Sequence, residues 1–163
     1  MGLVKKIVLL LLIFFITGCT VSPTHEDYSK FESTLVITET KLVETQILNL
    51  INQHRISIGL NELETLPIIK AVAYNHNTEM IRVNKLSHNG FVERENYLIY
   101  KTGATRVGEN VAYSYTTANS VFVAWMNSPG HRKNIEGDFT HFEISVDENK
   151  VGKNYITNIF IKK

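Results

Sequence analysis

The stretch V-A-W-M-N-S-P-G-H-R-K-N-I, residues 123–135, decides how this chain is to be read. A helical pattern over Asn119–Asn127 carries Val121, Phe122 and Trp125 on one face, meets Ser128-Pro129-Gly130 and stops, and His131 follows at once. Proline lacks the amide that a helix interior needs and glycine accepts the left-handed backbone of a helix end, so the pair breaks the helix. His131 is then either an ordinary loop residue or an imidazole aimed at something, and the rest of the chain has to say which.

On the N-terminal side two longer helices are legible. From Glu39 to Gly59, Val43, Ile47, Leu50, Ile51, His54 and Ile58 recur on one face of a 3.6-residue period, and Gly59 is a fitting stop. A second helix starts near Pro67, a good first-turn residue, with Ile69, Val72, Ala73, His76, Met80 and Val83 as its stripe. His54 and His76 each lie on an apolar face, where a half-buried, hydrogen-bonded core histidine is expected. Leu86–Phe91 reads as a turn, the stretch to Gly103 is mixed and leaves room for a short helix at Val92–Lys101, and Gly108–Tyr113 ends in an alternating, strand-like piece. Beyond His131, Phe139, Phe142, Ile144 and Val146 alternate in one strand, and Tyr155, Ile156, Ile159, Phe160 and Ile161 fill another across a polar link at 147–152. Three helices and about three antiparallel strands make an α+β layered domain.

The N-terminus obeys different rules. In M-G-L-V-K-K-I-V-L-L-L-L-I-F-F-I-T-G-C, Lys5 and Lys6 precede an unbroken apolar run of ten residues, Ile7 to Ile16. That is too short to cross ~30 Å of hydrocarbon as a helix and fits the core of a secretory signal. Ile16-Thr17-Gly18-Cys19 resembles the bacterial lipobox, which implies cleavage before Cys19 and acylation of its thiol and new amino group. Several acyl chains anchor far more firmly than one, at ~0.8 kcal/mol per buried methylene. Residues 1–18 are therefore expected to be a lipoprotein signal peptide, 19–40 a lipidated cysteine and polar tether with a turn or short strand at Thr34–Ile37, and 41–163 the folded domain. The expected location is the cell envelope, extracytoplasmic and held to the membrane through Cys19. Cys19 is the only cysteine, so no disulfide staples the domain and no thiol nucleophile is available to it.

The 163 residues fit one domain, 44% hydrophobic and 20% charged, with a formal net charge of +1. Lysines and arginines are scattered, so the basic stripe that nucleic acid requires is missing. A monomer is expected. H-E-x-x-H, G-x-S-x-G and phosphate-loop patterns are absent. Outside the tail and the two helical stripes stand His88, His131 and His141, in loop or strand-edge contexts, and one acid, Glu109, between Gly108 and Asn110. Two neutral imidazoles and a carboxylate form a good first shell for Zn²⁺ or another divalent cation, whose bound water becomes acidic enough for hydrolysis. The same groups without metal could act as a His–Glu acid/base pair. Spacing alone leaves open that these are unconnected solvated loop residues.

Five words in one order carry more. L-N-L-I-N-Q-H-R-I-S-I-G-L (48–60), L-S-H-N-G-F (86–91), G-E-N-V-A-Y (108–113), W-M-N-S-P-G-H-R-K-N-I (125–135) and F-T-H-F-E-I-S-V (139–146) resemble the CAP superfamily of cysteine-rich secretory proteins, antigen 5 and pathogenesis-related proteins, and most closely its compact bacterial branch. The resemblance covers roughly Glu44 to Ile161. It implies a three-layer α-β-α sandwich with a central antiparallel sheet, and a cleft lined by two histidines and two acids that binds a divalent cation in several relatives. His88, Glu109 and His131 match three of those four. The second acid, three residues after the tryptophan in many eukaryotic relatives, is Ser128 here, and His141 is the expected occupant of the vacated side. The functions this implies are binding of a cation, small ligand or protein partner, with a metal- or histidine-dependent ester or peptide hydrolase as the alternative. A third possibility is a purely structural polar network.

Overall fold

The computed structural model describes residues 24–163; the leader and Cys19 lie outside the described residues. In chain order the elements are α1 (His25–Glu32), α2 (Leu42–Ser57), β1 (Glu64–Thr65), α3 (Pro67–Val83), α4 (Phe91–Thr102), β2 (Arg106–Tyr113), α5 (Ala118–Met126), α6 (Pro129–Ile135), β3 (His141–Glu148) and β4 (Asn154–Lys162). Their ends follow local chemistry. The Lys41 amide donates to the Glu44 carboxylate at 2.7 Å at the start of α2, and the Thr117 hydroxyl accepts from the Ser120 amide at 3.2 Å at the start of α5. Gly103 ends α4 with φ +71°, a backbone that glycine adopts without strain. Among the described residues no helix is long and apolar enough to cross a membrane.

The sheet has the order β1-β3-β4-β2, with β3, β4 and β2 antiparallel and the two-residue β1 added in parallel beside β3. Strand side chains alternate between faces, which splits the core in two. Phe142, Ile144, Val146, Ile156 and Phe160 pack with Ile47, Ile51, Val121, Trp125 and Ile135 of α2, α5 and α6. Val107, Ile159 and Ile161 pack with Ile69, Val72, Tyr97 and Leu98 of α3 and α4. The result is the expected α-β-α sandwich.

Side chains also bond backbone groups of β3 beyond the short β1 and of the edge strand β2, which blunts pairing with another strand there. On β3 the Val146 amide donates to Glu44 at 2.9 Å and its carbonyl accepts from Lys41. On β2 the Val111 carbonyl accepts from the Trp125 indole at 3.2 Å, and the Glu109 carbonyl from the Asn134 amide at 3.1 Å.

Three expectations change. Pro129-Gly130 ends α5 but also opens α6, because the first turn of a helix needs no amide partners; His131 is thus a helical residue, not a loop one. The polar tether at 19–40 contains α1, and from there the chain belongs to the folded domain: Tyr28 stacks on Tyr100 at 4.4 Å and Phe31 lies 4.7 Å from Tyr97, centroid to centroid. The stripe of α2 is rotated, burying Glu44, Leu48 and Arg55 and leaving Ile58 exposed, because Glu44 and Arg55 have buried partners to meet. Glu44 pairs with the equally buried Lys70 of α3. Glu44→Ala would leave that ammonium uncompensated, and a loss of about 3–5 kcal/mol in the urea unfolding free energy is expected.

Candidate functional site

Glu109 sits in the middle of β2 with its side chain only 1% exposed, facing the α3–α4 layer. A carboxylate there must be paired and hydrogen-bonded. Arg94 of α4 meets it side-on: Nε donates to Oε2 and Nη2 to Oε1, both at 2.8 Å, while Nη1 donates to the Asn89 carbonyl at 2.8 Å. His88, in the turn before α4, donates from Nδ1 to Oε1 at 2.8 Å, with its side chain 52% exposed. His76 of α3 lies 3.9 Å from the same oxygen and donates from Nε2 to the Ser87 carbonyl at 2.9 Å. One carboxylate therefore gathers α3, α4, the turn between them and β2.

His131 is placed by a separate device. The Asn110 amide donates to the His131 carbonyl at 3.0 Å, and the Asn134 amide donates to the Asn110 side-chain oxygen at 2.8 Å. This pair of asparagines ties α6 to β2. Gly108 permits the approach, since a Cβ there would stand 2.9 Å from the Phe139 ring and 3.0 Å from the Asn134 oxygen. His131 packs 6.4 Å from the Trp125 ring, centroid to centroid. A hollow of about 290 Å³ opens between His88, Phe91, Val107, Gly108, Glu109 and Asn134. A second, of about 340 Å³, has His76 and Arg94 in its wall with Phe31 of α1.

Burial and neighbouring charge shift three of these groups. Burial works to raise the Glu109 pKa, but the hydrogen bonds from His88 and Arg94 and the charge on Arg94 outweigh it, and the carboxyl titrates below its ordinary value. His76 is held down by burial and then by Arg94, against the opposing pull of Glu109. Burial first, and His88 second, push His131 down. Because Nδ1 of His88 donates to Glu109, Nε2 is the ring nitrogen left for another partner.

Glu109 bonds His88 directly, His131 is tied to the same strand through its carbonyl bond to Asn110, and His141 is at neither. It lies on β3, separated from β2 by β4, with Nδ1 2.9 Å from the Thr140 hydroxyl and Nε2 3.7 Å from Glu64. Its strand register carries it away, so it cannot fill the side left by the missing acid. Ser128, which stands at that acid's position, is the residue before the first turn of α6 and makes no side-chain cap. The expected zinc set does not fit either. Both oxygens of Glu109 are taken by Arg94, and among the described residues no three His, Cys, Asp or Glu side chains are grouped to hold one ion. Arg94 was not among the residues nominated from sequence; the structure buries it with Tyr97 and Leu98 on the inner side of α4. His76 is the hydrogen-bonded core histidine expected; that its neighbour is Glu109 was not legible.

The sequence profile of the cysteine-rich secretory protein family, CAP, matches residues 48–160, and the chain belongs to that family. It is 34% identical over 128 residues to the "uncharacterized membrane protein YlbC" of Bacillus subtilis, covering 74% of this chain and 34% of the relative. It is 33% identical over 113 residues to YkwD of the same organism, covering 64% of this chain and 42% of that one. The chain therefore spans well under half the length of these relatives. Among solved structures, an outer surface protein of Borrelia burgdorferi superposes with a TM-score of 0.69 at 20% identity, covering 79% of this chain and 98% of that one. An extracellular protein of Bacillus anthracis containing an SCP domain gives 0.64 at 25% identity, covering 87% and 45%. This is a CAP-domain chain with extracellular bacterial relatives.

The site makes stability sensitive to acid in two steps. His76 and His131 hold protons less readily when folded, so the unfolded chain binds more protons just below the ordinary histidine value of 6.5. Glu109 contributes stability that is complete above its ordinary value of 4.5 and is lost as pH falls through its lower folded value. Urea unfolding followed from pH 8 to pH 3 is expected to decline first below about 6.5 and again below about 4.5. In His76→Gln the first decline shrinks and the second stays.

Proposed function

We propose that this chain is an extracytoplasmic, lipid-anchored CAP domain whose cleft binds a small polar ligand or a group of a protein partner through His88 and His131. The observation that carries the reading is the state of His88: its Nδ1 is fixed by a buried carboxylate while half of the ring is open to solvent. A histidine that served packing alone would not need orienting at an exposed position. The anchoring reading is supported by the lysine-led apolar run ending in Ile16-Thr17-Gly18-Cys19. It is also supported by relatives described as a membrane protein and an outer surface protein.

The Nε2 of His88 and the ring of His131 can each hydrogen-bond a ligand, so the fitting partner group is a polar one such as a hydroxyl or an N–H. The dyad also favours a second reading. A histidine oriented by a carboxylate is the arrangement of a general base, and His88 could draw a proton from water attacking an ester or peptide bond.

Anchoring is tested in bacterial cells fed a labelled fatty acid: the wild-type chain takes up label and Cys19→Ser does not, and equal labelling would reject the anchor. For the cleft, the chain is titrated with soluble glycan, peptide and glycerophosphate fragments of the envelope while the histidine side-chain resonances are followed. At least one class is expected to move His88 and His131 together, with the shift abolished in His88→Ala, a change that the half-exposed site tolerates. Silence from every class would remove the binding reading. Turnover of model esters or peptides that vanishes in His88→Ala would favour the hydrolase instead.

A further inference from the structure

We infer that the cation of this cleft is built into the chain: the Arg94 guanidinium occupies both oxygens of Glu109 that a divalent ion would need, so Glu109 orients His88 and does not ligate metal. The inference deepens the binding reading above and rests on it only for the identity of what His88 meets.

The geometry is specific. Nε and Nη2 of Arg94 reach Oε2 and Oε1 of Glu109 at 2.8 Å each, a side-on pair that uses the planar fork of the guanidinium. Nη1 is spent on the Asn89 carbonyl, in the turn that carries His88. Arg94 therefore fixes the carboxylate and the backbone beside the imidazole at once. Both partners are buried, with side-chain exposures of 6% and 1%, so the pair is weakly screened and neither member has water to fall back on. A zinc ion approaching Oε1 would have to displace His88 and Arg94 and leave the guanidinium buried without a counter-charge. What remains for an incoming ion is the pair of rings, two ligands where a closed or catalytic zinc site uses three or four protein ligands.

Arg94 is also a partition. It lies in the wall of the hollow shared with His76 and Phe31, and it touches the carboxylate that lines the hollow shared with His88. A ligand at His88 thus meets an electrically neutral floor, since the charges of Glu109 and Arg94 cancel.

The test is a Zn²⁺ titration of the full chain in mild detergent, by calorimetry and by the Arg94 Nε–H resonance. In the wild type, the Arg94 resonance is expected to stay unmoved as Zn²⁺ is added, and Glu109→Gln to leave zinc affinity within a few-fold. Arg94→Gln, which frees the carboxylate while keeping hydrogen-bonding capacity, is expected to bind Zn²⁺ at least tenfold more tightly than wild type, and adding Glu109→Gln to abolish that gain. Stoichiometric loss of the Arg94 resonance in the wild type, or a tenfold drop in wild-type zinc affinity caused by Glu109→Gln, would overturn the inference. Because the wild-type resonance needs no variant to fold, the result stands even if Arg94→Gln is unstable. Zinc binding through Glu109 in the wild type would sink this inference and leave the fragment titrations to judge the cleft; blank fragment titrations would do the reverse.

Discussion

A charged carboxylate under a sheet face is the constraint that organises this molecule. Glu109 has almost no access to water, and a buried charge of that kind persists only when its partners are held in place. The partners come from three successive segments: His76 from α3, His88 from the turn after it and Arg94 from α4. Satisfying one side chain therefore ties α4 and the turn before it to β2, beside α3, and it sets the direction in which His88 faces. The same edge strand carries the second device, Asn110 with Asn134, which brings α6 and His131 to the other side of β2. Structure and site share these bonds.

A second polar cluster, at the far edge of the sheet, shows that this is a general habit of the fold. Glu44, Lys70, Lys41, Asn77 and Asp147 bond one another and the β3 backbone, with Glu44 and Lys70 buried. There the charged groups meet backbone and each other and no exposed histidine is attached. In the β3 cluster the half-exposed partner is the ammonium of Lys41, and in the β2 cluster it is the imidazole of His88.

How much of this was legible in the sequence follows from what each feature depends on. Local periodicity gave α3 its start at Pro67, since proline's preference for a first turn is a property of one residue. The alternation in β3 and β4 was equally local. Pro129-Gly130 was ambiguous because the chemistry that ends one helix also begins the next. The α1 helix escaped notice because its apolar face is only Tyr28 and Phe31, two rings amid polar residues, and becomes decisive when Tyr97 and Tyr100 are beneath them. His88, Glu109 and His131 could be nominated because their residue types suit chemistry and their words resemble a family. Arg94 could not, because nothing local in E-R-E-N distinguishes a surface arginine from one that will find a carboxylate across the layer. His141 failed for the complementary reason: its word fits, but strand order places it beside β1 rather than at β2.

The missing acid and the buried arginine bear on each other through charge. With Glu109 and Arg94 paired, the floor of the cleft is neutral, and with histidines held uncharged by burial at His76 and His131, little net charge remains for an ion to answer. A second carboxylate at position 128 would stand at the N-terminal end of α6 and would add an uncompensated negative charge near His131, the condition under which a divalent cation becomes worth its dehydration. Ser128 supplies no such charge. The arginine settles the one carboxylate present, and position 128 is a serine. In a fold that serves unrelated functions, the residues of the site rather than the fold decide what it binds.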